Sequence, residues 1–195
     1  HPDADHIAGL VEVLELYSIE QVYLNGGESD TQTFDNLMEG INLEGGEVKT
    51  VTRGDTIPLG DLMLEVLHPG PLSGDSNEDS MVLLISCGVM DMLLTADAEA
   101  PSEESMLAAG VLTEVEVLKV GHHGSRTSTS ADFLDQVSPE VGVISAGVEN
   151  AYDHPHPEVL ERLQAAGVEI LVTDTTEADD TLVLETDCQE YEFSR

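Results

Sequence analysis

The sequence predicts an α/β domain of two sheets with helices on their outer faces. Short apolar runs joined by tight Gly-Asp turns crowd the first half, as hairpins do. Strand-like and helix-like runs then alternate through the second half. A chain of 195 residues, 41% of them apolar, is long enough for one sizeable core.

Ile7, Leu10, Val11 and Leu14 recur at helical spacing, so a helix is expected over about 7–17. Residues 21–24 read as a short buried strand ending at Asn25-Gly26-Gly27, and 31–39 as a helix stopped by Gly40. Strands follow at 48–52, 56–59 and 62–67, then a Pro, Gly, Ser and Asp-rich loop over 68–78. Residues 80–86 and 90–95 make a second strand pair around Gly88. A helix at 102–109 and a strand at 115–120 lead into a polar loop at 121–130. A helix at 131–137, a strand at 141–145 and a helix at 157–166 come next. Strands at 168–173, 181–185 and 191–193 close the chain. No repeat or linker divides it, so residues 1–195 read as one domain.

Forty acidic side chains against six basic ones give a formal charge of −34, and Lys49 and Lys119 are the only lysines. Such a chain repels itself at low ionic strength. At molar salt the Debye length falls to about 3 Å and the repulsion is nearly silenced. The composition therefore reads as adaptation to salt-rich surroundings. An acidic partner-binding face is the alternative, but the acids are spread evenly rather than in a block. Scarce cations ordinarily argue against phosphate binding, yet high salt removes most of that electrostatic term, so nucleic acid stays open. No run approaches the roughly 18–20 apolar residues of a membrane span. Two cysteines are too few for a disulfide framework, and Cys87, after an apolar run, reads as a buried thiol.

The chemistry-bearing residues are concentrated. His1-Pro2-Asp3-Ala4-Asp5-His6 puts four potential ligands in one loop leading into a helix. Imidazole and carboxylate suit Zn²⁺, Mn²⁺ or Fe²⁺. In an extended segment positions 1, 3 and 5 point one way, and His6 can turn towards a second ion. Further ligand-capable groups sit at strand ends: Asn77 to Ser80, Asp97, His122-His123, and His154-Pro155-His156. Six of the seven histidines fall in these clusters, and His68, followed by Pro69, reads as structural.

These motifs resemble the metallo-β-lactamase superfamily. The opening is similar to its His-x-His-x-Asp-His motif, with Asp in the second ligand place as in the soluble domain of ComEC-type DNA-uptake (competence) proteins. Leu93 to Glu99, Leu118 to Ser125 and His154 to Glu158 match the same subgroup in order. The resemblance implies a four-layer αββα sandwich with a dinuclear metal site between its sheets. By the family pattern His1 and Asp3 would face the first metal, Asp5 and His6 the second. Asp97 would bridge them, and His122 or its neighbour His123 would complete the second. Two divalent ions, Zn or Mn, about 3.5–4 Å apart can hold a hydroxide nucleophile and bring the pKa of bound water towards 7.

The sequence departs from the family at several points. No histidine stands near 76–78, where the first metal's third one is expected, so Asn77 would offer an amide oxygen and that site would be weak. Ala96 replaces a Gly before the bridging acid, a mild change unless the position needs a positive φ. The two family strands that precede the first motif are missing, so the domain reads as truncated at its N-terminus.

Asp5, which can orient the hydroxide, and His156, which can protonate a leaving oxygen, are the catalytic candidates. The substrate-binding candidates are Asn77, His123, Ser125, Arg126, Thr127, Ser128 and His154. The stretch from 122 to 130 joins one cation to several hydroxyls, and the helix start near Ser130 favours an anion. A plain polar loop with Ser130 as helix cap is the alternative, and His154 and His156 read equally as loop or capping residues. The expected function is a metal-dependent phosphodiesterase acting on DNA. The alternatives are an ester, thioester or lactone hydrolase, and a non-catalytic metal-binding module of a DNA-uptake machine. The same resemblance implies a nucleic acid substrate and a membrane channel partner; the location stays open, with an extracytoplasmic one favoured over a cytoplasmic one.

Overall fold

In the computed structural model, residues 1–173 and 181–195 are described. A seven-stranded sheet runs in chain order: β3 (Thr56–Leu59), β4 (Leu62–His68), β5 (Val82–Cys87), β6 (Met90–Leu94), β7 (Val117–Lys119), β8 (Val141–Ile144) and β9 (Glu169–Val172). From β3 to β6 neighbours are antiparallel, as hairpins require; from β6 to β9 they are parallel, as the alternating pattern requires.

Helices α3 (Ala100–Ala109), α4 (Ala131–Val137) and α5 (Pro157–Ala165) cover one face of this sheet. Met106, Phe133, Val159 and Leu163 pack there with Leu93, Leu118 and Ile144 in one buried core. The other face carries two separate two-stranded ribbons instead of one continuous second sheet. One is the parallel pair β1 (Gln21–Leu24) and β2 (Glu47–Thr50), the other the hairpin of β10 (Val183–Thr186) and β11 (Tyr191–Ser194). The two-residue strand period shows in β1. Tyr23 packs towards Ile57, Leu64 and Val66 of the sheet, and Val22 towards Ile7, Leu14, Leu37 and Ile41. Those four belong to α1 (Ala4–Leu16) and α2 (Gln32–Glu44), which form the outermost layer. The order is helix, sheet, ribbon, helix.

Two expectations are corrected here. Helix α2 does not stop at Gly40. A Cβ on Gly40 would sit 3.1 Å from Leu14 Cδ1, so that glycine serves the approach of α1, and the helix runs on to a left-handed cap at Gly45. Nor is Cys87 a free thiol: it is bonded to Cys188, 101 residues away. Cys87 is buried with Met90 and Val117, and Leu184, Tyr191 and Phe193 of the terminal hairpin pack against that group. The apolar run before Cys87 thus reports a covered strand and says nothing of a distant partner. Gly88, at φ +61°, makes the approach possible, because a side chain there would run into the Cys188 carbonyl. Among the described residues no helix is long and apolar enough to cross a membrane.

Candidate metal centre

The carboxyl ends of parallel strands are where an α/β sheet leaves an open crevice. The turns after β6, β7 and β8 deliver Asp97, His122-His123 and Ser145 to that one edge. Helix α1 approaches the same place with its N-terminus. Asp3 is its N-cap, and its carbonyl accepts from the amides of His6 and Ile7. Helix α1 starts at Ala4, earlier than expected, so Asp5 lies in the first helical turn and does not alternate with His1 and Asp3.

The two oxygens of buried Asp97 serve two groups. Oδ2 lies 3.6 Å from His1 Nε2 and 3.7 Å from His122 Nε2, and Asp3 Oδ2 is 3.6 Å from His1 Nδ1. Oδ1 lies 3.2 Å from His6 Nε2 and 3.5 Å from His123 Nε2. Asp5 Oδ2 joins this second group, 3.5 Å from His123 Nε2 and 3.9 Å from His6 Nε2. One donor atom from each of Asp5, His6, Asp97 and His123 falls within 4.8 Å of all the others. His123 therefore stands with Asp5 and His6, and His122 stands on the His1 side. A sequence with two adjacent histidines cannot make that choice, because it depends on the left-handed backbone at both, φ +47° and +53°.

These side chains fit divalent cations. Two ligands about 2.0–2.1 Å from one tetrahedral ion lie roughly 3.4 Å apart, the spacing seen here. Both ring nitrogens of His1 and Asp97 Oδ1 are buried without a hydrogen-bond partner. His123 Nδ1 is 2.8 Å from the Ser145 carbonyl, which can only accept, so the proton sits on Nδ1 and Nε2 offers its lone pair. His122 Nδ1 lies 2.9 Å from Glu99 Oε1 as a close polar contact and, like the ring nitrogens of His1, has no hydrogen-bond partner. Burial works to raise the Asp97 pKa, but its close approach to His1 and His6, with His123 beside them, holds it far below the usual carboxylate range. Burial lowers the basicity of His1, but pairing with Asp97 and Asp3 outweighs it and raises the pKa.

Ala96 adopts φ +47°, so the position does need the conformation that glycine favours. Its carbonyl accepts from the His122 amide at 2.9 Å, which ties the strain to the ligand turn. Ala96→Gly is expected to stabilise the fold by about 1 kcal/mol, or roughly 2–4 °C in Tm. A lower Tm by calorimetry would show that the strain is not there.

The 125–130 loop is held from both sides. Glu103 of α3 accepts from the amides of Thr129 and Ser130, and Arg162 of α5 donates to the carbonyls of Thr129 (2.9 Å) and Ser128 (2.8 Å). The anion at the start of α4 is thus the protein's own Glu103, which corrects the expectation of an open anion site there. Ser130 is the helix cap, accepting from the Phe133 amide. The Ser128 hydroxyl bonds to the carbonyls of Gly121 and Ser125, and Thr127 Oγ1 joins Ser125 Oγ to Glu99. Arg126 is exposed, 3.7 Å from Glu158.

His156 Nδ1 accepts from the Arg126 amide at 3.1 Å, so its Nε2 carries the proton. His154 lies between His122 and His156, with ring centroids 5.6 and 4.7 Å away; burial first and its imidazole neighbours second keep its pKa low. Ser76, not its neighbour, reaches the first group, donating to Asp3 Oδ2 at 3.2 Å, while Asn77 is tied into its loop by its backbone. His68 is structural: Arg53 donates to Nδ1, and Nε2–H donates to the Glu78 carbonyl. Glu99, Glu103 and Ser145 were not legible beforehand, since among forty acids no single one stands out.

Imidazoles and carboxylates gathered at strand ends, between a helix-backed sheet and a second strand layer, define an α/β protein with a candidate metal centre. The chain belongs to the metallo-beta-lactamase superfamily, whose family model matches residues 1–148. It is 34% identical over 175 residues to ComE operon protein 3 of Bacillus subtilis, covering 89% of this chain and 23% of that protein. To recombination protein 2 of Haemophilus influenzae it is 33% identical over 164 residues, 84% of this chain and 19% of that one. Competence protein ComA of Neisseria gonorrhoeae is 43% identical over 116 residues, 58% and 17% of the two chains. The chain thus spans under a quarter of the length of these curated relatives. Among solved structures, CmlA, a diiron β-hydroxylase of Streptomyces venezuelae, shares the fold with a TM-score of 0.58 at 15% identity, over 87% of this chain and 42% of that one.

Proposed function

We propose that this chain is the metal-dependent hydrolytic domain of a DNA-uptake protein and that it cleaves phosphodiester bonds of DNA. The observation that carries the reading is the division of Asp97 between two donor groups, which suits two divalent ions, Zn²⁺ or Mn²⁺. His1, Asp3 and His122 would hold one with Asp97, and Asp5, His6 and His123 the other. Bound there, the ions supply Lewis acidity and lower the pKa of water. Asp5 is exposed beside His6 and His123, where it accepts a proton from the attacking water. Arg126, exposed on the loop braced by Glu103 and Arg162, faces Glu158 at 3.7 Å and would have to leave that carboxylate to meet the phosphate. The Nε2–H of His156 is the donor for the leaving oxygen.

The names of two relatives, recombination protein 2 and competence protein ComA, support the DNA substrate. The Cys87–Cys188 bond supports an extracytoplasmic location, since such bonds persist in oxidising surroundings. The −34 charge supports a salt-rich one. One observation favours the second reading, a non-catalytic metal-binding module: a hydroxyl, Ser76, meets Asp3 where a further imidazole would strengthen the first site.

Protein purified in high salt and supplied with Mn²⁺ or Zn²⁺ should retain about two ions per chain. It should hydrolyse bis(p-nitrophenyl) phosphate and leave p-nitrophenyl acetate at its background rate. Turnover of the acetate alone would replace the phosphodiesterase reading with a carboxylesterase. Ions retained with no turnover of either ester would leave the non-catalytic metal-binding module, and less than one ion per chain would overturn the metal-dependent reading.

A further inference from the structure

We infer that Tyr152, with His154 beneath it, is a stacking platform for a nucleobase next to the scissile phosphate, so that the site takes single-stranded DNA. The inference rests on the phosphodiesterase reading and adds the form of its substrate. Tyr152 is 74% exposed, and its ring lies 5.7 Å from His154 at an interplanar angle of 25°. His154 is in turn nearly parallel to His123, 6.5 Å away at 18°. A row of roughly parallel rings therefore leads from solvent to a metal-facing imidazole. Tyr152, His154, His123 and Asp5 line a single hollow of about 310 Å³.

The platform is built in advance. Asn150 Nδ2 donates to the carbonyls of Gly147 and His154, and its Oδ1 accepts from the amides of Tyr152 and His154. That cross-brace fixes the loop at four points, so little ordering is left to binding.

Charge gives the platform its purpose. With six cations against forty acids, and Arg126 already facing Glu158, the chain has little to offer phosphate oxygens. Affinity from phosphate contacts falls steeply with salt, whereas stacking of a base on an aromatic ring tolerates it. Only an unpaired strand presents a base face to a ring; a duplex keeps its faces stacked.

The test is binding of a fluorescently labelled oligothymidylate, read by anisotropy beside a strand of equal length made of abasic sites, together with cleavage of both. Tyr152→Ala should weaken binding of the oligothymidylate and raise its KM about 10-fold, with kcat little changed, because one stacked base is worth about 1–3 kcal/mol. Binding of the abasic strand should not respond, and Tyr152→Phe should restore the wild-type values. Equal losses for both strands, or none for either, would overturn the platform. Base-dependent binding that needs Tyr152 but is followed by no cleavage would keep the platform and sink the nuclease. Cleavage indifferent to residue 152 would do the reverse.

Discussion

Asp97→Asn should leave the chain folded and almost without metal, retaining less than one ion by elemental analysis where the parent is expected to retain about two. The carboxamide keeps the shape and burial of the side chain but loses the negative charge that faces His1, His6, His122 and His123 at 3.2 to 3.7 Å. One of its two atoms also becomes an N–H₂ that cannot act as a ligand. One donor group loses its member outright and the other keeps only a neutral amide oxygen, because each is built on one oxygen of the same carboxylate. Phosphodiester turnover should fall by about 10³-fold or more, the scale of removing a charge-stabilising group from a preorganised site. Circular dichroism on the variant separates this from unfolding. Two ions retained with turnover intact would remove Asp97 from the centre.

Reduction of Cys87–Cys188, or the double change Cys87→Ser and Cys188→Ser, should lower Tm by roughly 10 °C. The bond closes a loop of 101 residues, and cross-linking a loop of that size is worth about 4.7 kcal/mol in the chain-entropy picture, with 2–4 kcal/mol typical of measurement. Among the described residues the hairpin it anchors pairs with no strand of the main sheet: Leu184, Tyr191 and Phe193 pack against the Cys87 group, Tyr191 donates to Glu140, and the Cys188 carbonyl accepts from the Val89 amide. Alkylation of the native protein without reductant should label neither cysteine. Rapid labelling of both, with an unchanged Tm, would overturn the bond and with it the support for an oxidising compartment.

Most of the architecture was legible because local pattern and tertiary demand agree. The 131–137 helix and the 56–59 strand fall where their periodicity places them, and the Gly-Asp turns mark the hairpin between β3 and β4. Gly40 was misread because a glycine that makes room for Leu14 looks, in one dimension, like one that ends a helix. The disulfide was missed for a related reason: burial of Cys87 is a local signal, and a partner 101 residues on is not.

The metal residues could be found because imidazoles are rare in this chain and sit in clusters. Their grouping could not. Whether His122 or His123 joins Asp5 is decided by two backbone dihedrals, and whether an acid supports a ligand or merely faces water is decided by neighbours such as Thr127. Tyr152 carried no signal at all, since an exposed aromatic means something only beside a particular crevice.

His6 and His123 meet across 117 positions of chain, one from the opening helix and the other from the turn after β7. Chelation is therefore impossible for any intermediate in which those two halves have yet to dock. Uptake of a coloured or luminescent ion during refolding would time the docking of those two halves, independently of any substrate.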